Sequence, residues 1–325
     1  MSCSPRTVTR RLPVAIAALA LATTAGTLAQ TVKPVTVIVY GDTRFTNPGI
    51  TTAANPRART ALVARIAEES PDAVLISGDL PWHGGALGDY AQFRVETEAW
   101  RTRGLRVIPA LGNHEFAQCQ PEACLENWWT AFPELRGKRW HAADVGAHVH
   151  VIALDTMSRL QTGSEQRMWL EREIAALPQA VTFVIVTLHH PPVADVQTRV
   201  RVDHNPRPNE IALADYLKEA ARSSHARFIV AAGHMHNYER ILQDDVMYLV
   251  SGGGGAVPYE IDRTPTDLYQ GIDFPNFHYV KLTLDAGTLK GEMYRLDEPA
   301  APAPHFTVKD TFEMHARTAG HGVTP

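Results

Sequence analysis

The sequence predicts an α/β fold, a sandwich with helices on both sheet faces, and three observations predict it. Short runs of β-branched and apolar residues recur along most of the chain. Stretches with helical apolar spacing lie between them. Five of the runs are followed at once by Gly, Asp, Asn or His. With 325 residues, 45% of them apolar and 20% charged, the chain can bury one large core or two small ones and is too apolar to be disordered. A formal charge of −4 argues against a nucleic-acid surface built on bulk electrostatics. Histidine is the outlier, at 15 residues.

Residues 1–29 read as an address. Arg6, Arg10 and Arg11 precede the apolar run Leu12–Leu21, no acidic residue is present, and the stretch ends Thr27-Leu28-Ala29. A basic start, a short apolar centre and a small-x-Ala end describe a secretory leader. Pro13, three Thr and a Gly make the alternative, an uncleaved anchor, a poor span. Without 1–29, 28 basic residues face 35 acidic ones, a charge of −7. The product is expected to be secreted or periplasmic, with no stable membrane association. Cys119 and Cys124 remain, and an even pair in an exported chain reads as a disulfide closing a small loop. A metal-binding thiolate pair is the alternative, but it lacks further Cys partners.

Strands are predicted over 35–40, 73–77, 105–110, 149–154, 181–188 and 227–232. Several of these are nearly all apolar, as strands buried on both faces must be. Helices are predicted over 57–69, 89–103, 164–177 and 209–223, with Pro56 in the first turn of one and Ser164 as N-cap of another. Later strands over 246–251, 277–284 and 289–294 are expected to be antiparallel and to finish a second sheet. Residues 297–325, Pro/Ala-rich and then polar, are expected to form a loosely attached tail. The leader is thus followed by one catalytic region, 30–296, with no repeat and no linker.

The chemistry sits where the strands end. The first is followed by Gly41-Asp42-Thr43-Arg44, the second by Gly78-Asp79-Leu80-Pro81-Trp82-His83. Gly112-Asn113-His114-Glu115 follows the third, His189-His190-Pro191 the fifth and Gly233-His234-Met235-His236 the sixth. Side chains just past the carboxyl ends of parallel strands converge on one crevice. Two carboxylates, an Asn and several imidazoles in one place suit Zn, Mn or Fe, and they are too many for one tetrahedral ion. Each motif alone is as readily a polar loop. All five together, in order at strand ends, point to a centre for two metal ions.

The order Gly-Asp, Gly-Asp, Gly-Asn-His-Glu, Val-x-x-His, Gly-His-x-His resembles the calcineurin-like metallophosphoesterases, and Gly233–Arg240 (GHMHNYER) resembles their purple acid phosphatase branch. The resemblance runs from Val35 to Tyr294. It implies a four-layer αββα sandwich of two mixed sheets and a dinuclear centre that hydrolyses phosphate esters. It also implies Asp79 as the bridging ligand, Asp42 and His236 on the first metal, and Asn113, His189 and His234 on the second. His114 would contact phosphate and assist the leaving group, oriented by Glu115. Larger members of that branch carry an amino-terminal β-sandwich. Here only residues 30–34 stand between leader and first strand, so a catalytic domain alone is expected.

Two positions depart from the family. Many relatives have Asp-x-His where this chain has Asp42-Thr43-Arg44, and the purple branch has Tyr where Trp82 stands, which cannot ligate. The first metal is then one ligand short, with His83 or water to fill the gap, and a weaker first site without the purple colour is expected. Arg44 suits phosphate binding or a structural ion pair. Gly252–Gly255 has no Lys-Ser/Thr to make a phosphate loop and reads as a tight turn near the centre. Trp128 and Trp129 could cap a substrate or pack the Cys loop. His190, Arg199, Arg201 and His204 fall where relatives contact substrate or on solvated surface. His141, His148, His150, His225 and His278 match no motif. The leading function is hydrolysis of small-molecule phosphate monoesters. A phosphodiesterase or nucleotide hydrolase on the same core is the alternative, and a binding protein with a decayed first site is a third. Oligomeric state is not legible.

Overall fold

The computed structural model describes residues 1–4, 33–195 and 204–317. The expected leader therefore lies almost wholly outside the described residues, as do Arg199 and Arg201. The chain divides into two compact units, Met1–Val32 and Lys33–Pro325, and the second is described here.

Alternating βα segments build its first half. β1 (Val35–Tyr40), β2 (Ala73–Ile76) and β3 (Arg106–Pro109) run parallel, with α1 (Pro56–Glu69) and then α2 (Leu87–Glu96) and α3 (Glu98–Thr102) between them. The Asn55 side chain caps α1 by accepting from the Ala58 N–H at 3.1 Å, and Pro56 fills the first helical position, where its missing N–H costs nothing. The helix expected over 89–103 is two helices because the Thr97 hydroxyl turns back to the Phe93 carbonyl at 2.6 Å. After α4 (Pro121–Ala131) and β4 (His141–Val145) come β5 (Val149–Ala153), α5 (Glu165–Ala175), β6 (Phe183–Thr187), α6 (Pro208–Ser223) and β7 (Arg227–Ala232). Ser164 caps α5.

The last third departs from expectation. β8 (Tyr238–Gln243) and β9 (Val246–Ser251) form a hairpin, and β9 lies parallel to β7 rather than antiparallel. β10 (His278–Asp285) and β11 (Thr288–Leu296) are antiparallel, yet they join the first sheet beside β1. The tail is not loose: β12 (Phe306–His315) pairs with β11 along its length. Phe306, Val308, Phe312 and Met314 alternate with polar residues there, and Phe312 is buried. Asp310 accepts from Arg240 and from the Tyr238 hydroxyl, tying β12 to β8 of the other sheet.

The two six-stranded sheets have the orders β12-β11-β10-β1-β2-β3 and β4-β5-β6-β7-β9-β8. Period-two burial on both faces sets four layers. Val37 and Val39 of β1 and Phe183 and Ile185 of β6 point into the core between the sheets. Ile38 and Tyr40 meet α1 and Trp100 of α3 on one outer face, and Val184 and Val186 meet Leu213 and Leu217 of α6 on the other. A disulfide ties Cys119, just before α4, to Cys124 in its first turns. Trp128 is buried against Phe132, and Trp129 donates to the Lys138 carbonyl at 3.0 Å, so both pack locally around α4. Among the described residues no helix is long and apolar enough to cross a membrane.

Candidate metal centre

The carboxyl ends of β1, β2, β3, β6 and β7 meet at one crevice, and each delivers its motif there. Three of them are followed, two or three residues on, by a residue in the left-handed region: Asp42 (φ 56°), Asp79 (φ 53°) and His234 (φ 71°). Such conformations cost free energy for residues with a Cβ and concentrate at functional sites. Glycine supplies close approach beside them. A Cβ on Gly112 would stand 2.4 Å from Asp79 Oδ1, and one on Gly233 would stand 2.4 Å from Asp42 Oδ2. The turn at Gly252–Gly254 packs beneath Asp42 in the same way, with the Gly254 N–H donating to the Gly41 carbonyl at 2.9 Å.

One half of the crevice gathers around His189. Its Nδ1–H donates to the Ser77 carbonyl at 2.9 Å, which leaves the Nε2 lone pair facing the site. Asn113 Oδ1, Asp79 Oδ1 and His234 Nδ1 stand 3.0, 3.2 and 3.3 Å from that nitrogen. Four donor atoms this close, two of them imidazole nitrogens, have the spacing of ligands that share an ion. The other half comprises Asp42, Asp79 and His236. His236 donates from Nδ1 to the Val257 carbonyl at 2.6 Å and turns Nε2 to within 3.4 Å of Asp42 Oδ1. Both of those atoms are buried with no hydrogen-bond partner among the described residues. A buried carboxylate oxygen and a buried imidazole nitrogen left unsatisfied together fit a cation between them.

Charges inside the crevice set one another. Burial would raise the Asp79 carboxyl, but His189, His114, Arg44 and the His114 N–H outweigh it and hold it far below the usual carboxylate range. Burial lowers His189, and the Asp79 and Asp42 carboxylates more than reverse this. Burial also pulls His234 down to about 3, with His189 adding to the effect. A low pKa keeps an imidazole in the neutral form that a metal requires.

His114 stands at the rim with Nδ1–H held by the Trp82 carbonyl at 2.6 Å and Nε2 3.8 Å from Asp79 Oδ2. Its ring stacks on Trp82 at 4.8 Å, and Arg44 lies over the other part of that column, its guanidinium 5.2 Å from the Trp82 ring. Arg44 Nη2 reaches Asp79 Oδ2 at 3.4 Å.

Two expected roles are corrected. Glu115 does not orient His114. Its buried carboxylate accepts from the backbone N–H groups of Asp79 (3.0 Å), Leu80 (2.9 Å) and Gly112 (2.7 Å), so it positions the loop that carries Asp79. His83 does not complete the first site: its Nε2 lies 3.0 Å from the Gln118 amide and its ring rests against Trp82. The remaining expected residues, Asp42, Arg44, Asp79, Asn113, His114, His189, His234 and His236, all meet in the crevice.

The structure adds residues that sequence reasoning left undecided or missed. His190 packs 4.2 Å from His234, its Nδ1 fixed by the Thr156 hydroxyl at 2.7 Å. His204 stacks on His234 at 4.8 Å. Tyr259 stacks on His236 at 4.3 Å, and nothing in its sequence neighbourhood announces it. His141, His148 and His225 each bind a backbone carbonyl, those of Pro109, Ala180 and Pro178.

Known proteins resemble this chain in sequence and in fold. A probable cyclic nucleotide phosphodiesterase from Synechococcus sp. (strain WH7803) is 26% identical over 196 residues, covering 56% of this chain and 68% of that one. The fold is similar to a purple acid phosphatase, PPD1, from yellow lupin seeds, with TM-score 0.69 and 20% identity over 88% of this chain. This chain spans only 54% of the lupin enzyme. It is also similar to PhoD, with TM-score 0.62 and 15% identity over 88% of this chain and 70% of that one. These two likenesses are of fold. The family description Calcineurin-like phosphoesterase matches residues 35–248. With that match covering about two thirds of the chain, strands of both sheets and every donor of the crevice, the chain belongs to the calcineurin-like phosphoesterases.

Proposed function

We propose that this phosphoesterase is an exported enzyme that hydrolyses small-molecule phosphate monoesters at a two-metal centre. The observation that carries the reading is the meeting of Asp79, Asn113 and His234 within 3.3 Å of His189 Nε2. Asp79, Asn113, His189 and His234 would hold one ion and Asp42, Asp79 and His236 the other, with Fe, Mn or Zn suited to this O/N donor set. Bound there, the ions lower the pKa of water and neutralise phosphoryl charge.

The chain's own residues supply the rest. Arg44 presents a fixed cation beside the crevice and pairs with phosphate oxygens. The Trp82 carbonyl fixes the His114 tautomer, so proton exchange takes place at Nε2. Burial, with Arg44 adding to it, lowers the pKa of His114. An arriving phosphate anion acts in the opposite sense, so His114 gains its second proton with the substrate and passes it to the leaving oxygen. A dianionic monoester makes fuller use of Arg44 than a diester does. The diester reading is favoured by one observation, the 26%-identical relative described as a probable cyclic nucleotide phosphodiesterase. Export is supported by the leader-like residues 1–29 and by the disulfide, which persists in oxidising compartments.

The test is metal-rescued hydrolysis. Chelator-stripped protein is given Mn, Zn or Fe and assayed on p-nitrophenyl phosphate and its bis-ester in parallel. Faster monoester turnover is expected. Faster bis-ester turnover selects the diesterase. No turnover by folded, metal-loaded protein selects a binding protein with a decayed site.

A further inference from the structure

The two halves of the crevice share Asp79 but not its surroundings. Asp79 Oδ1 faces His189 at 3.2 Å, whereas Oδ2 faces the Arg44 guanidinium at 3.4 Å. Arg44 is not a loose surface side chain. Its N–H donates to the Asp79 carbonyl at 3.0 Å, and its own carbonyl accepts from Arg59 Nη1 at 2.9 Å. Arg59 is itself buried and held by Glu96 in a two-pronged pair at 2.6 and 2.9 Å. The Arg44 side chain is 13% exposed, its Nε is buried without a partner among the described residues, and its guanidinium rests on Trp82. Swinging it out would break the stack and leave the Trp82 face bare.

We propose that Arg44, clamped by Trp82, is a built-in cation of the first site, so that the chain binds one metal ion tightly at Asp79, Asn113, His189 and His234 and a second only weakly at Asp42 and His236. The proposal rests on the reading of the crevice as a metal centre. A cation held by Asp42, Asp79 and His236 would have to share the Asp79 carboxylate with a fixed positive charge, and like charges around one buried carboxylate repel strongly. The two residue types that break the family pattern, Arg44 and Trp82, therefore form one device. Trp82 is a positioning residue. It holds Arg44 on one part of its ring and stacks His114 on another, while its carbonyl takes the His114 Nδ1–H. The first half would thus fill only when free metal is abundant, which places occupancy of the centre under control of metal supply.

The test reads metal, not turnover. The full chain is stripped with chelator, titrated with Zn²⁺ by calorimetry, and analysed for metal content after gel filtration, with unfolding followed by circular dichroism. The expected result is one ion retained per chain and a second step weaker by about tenfold or more. Arg44→His removes the charge and adds an imidazole at a φ that His tolerates, and it should bring retained metal from one ion towards two. Arg44→Gln removes the charge alone and should strengthen the second step less, and it stands in if the His variant does not fold. Two equally tight ions in the unmodified chain would overturn the proposal, as would an unchanged second step in both variants. Failure of the folded chain to bind any ion would overturn both the proposal and the metal-centre reading beneath it.

Discussion

Around Asp79 Oδ1, the ends of β2, β3, β6 and β7 place four donors, and among the described residues no Arg or Lys pairs with that oxygen. Around Oδ2 the same carboxylate meets Arg44, and the remaining donors of that half are Asp42 and His236. Both halves orient a histidine through a backbone carbonyl, Ser77 for His189 and Val257 for His236. Orientation is therefore common to both, and what separates them is donor number and local charge. A motif can supply well-aimed ligands and still leave a poor site if one neighbour carries the wrong sign.

The largest effect should come from removing a donor on the complete side. Asn113→Ala or His234→Ala is expected to lower turnover at least about 10³-fold and to release the tightly held ion, with the metal-free fold unchanged by circular dichroism. His236→Ala should leave that ion in place. Equal loss of tightly bound metal from all three variants would erase the distinction between the halves.

A smaller effect, felt by both halves at once, is expected from Glu115→Gln. The amide would turn an N–H towards the Leu80 or Asp79 N–H that the carboxylate now accepts, displacing the shared Asp79. Stability should fall by about 1–3 kcal/mol by urea titration, and turnover by about tenfold. A fully active, fully stable variant would show that Glu115 positions nothing.

The smallest effect concerns the floor beneath the first half. His278 is buried beside the Gly252–Gly254 turn, its Nε2 3.1 Å from the Ser251 hydroxyl, and burial pulls its pKa down to about 4. An unfolded His binds its proton near pH 6.5, so the unfolded state holds the extra proton between about pH 6.5 and 4. The share of stability that His278 controls should therefore be lost across that window as pH drops, about 1–3 kcal/mol, and His234 adds a loss of the same sign in the metal-free chain. His278→Gln should flatten the loss, and an undiminished acid slope in that variant would remove His278 as its cause.

Legibility followed the range of the interaction. β1, β7 and β9 were readable to the residue because their apolar runs are continuous and bounded by polar turns. β12 was missed although Phe306 to Met314 alternates cleanly, because its Pro/Ala-rich approach gave the whole segment the composition of a tail. β8 was hidden inside the His-x-His motif that precedes it. The gathering of the candidate donors in one crevice is legible because parallel strands send their carboxyl ends to one place, so position along the chain already implies position in space.

What the sequence determined by itself is which side chains gather in the crevice: Asp42, Asp79, Asn113, His189, His234 and His236, each just past a strand whose apolar pattern announces it. What only the tertiary structure decided is the company each donor keeps. Glu115 grips backbone N–H groups rather than His114, His83 turns to Gln118, and Arg44 settles on Asp79 above Trp82. Those outcomes depend on contacts between residues far apart in the chain, where burial and charge are set by neighbours that no local pattern encodes.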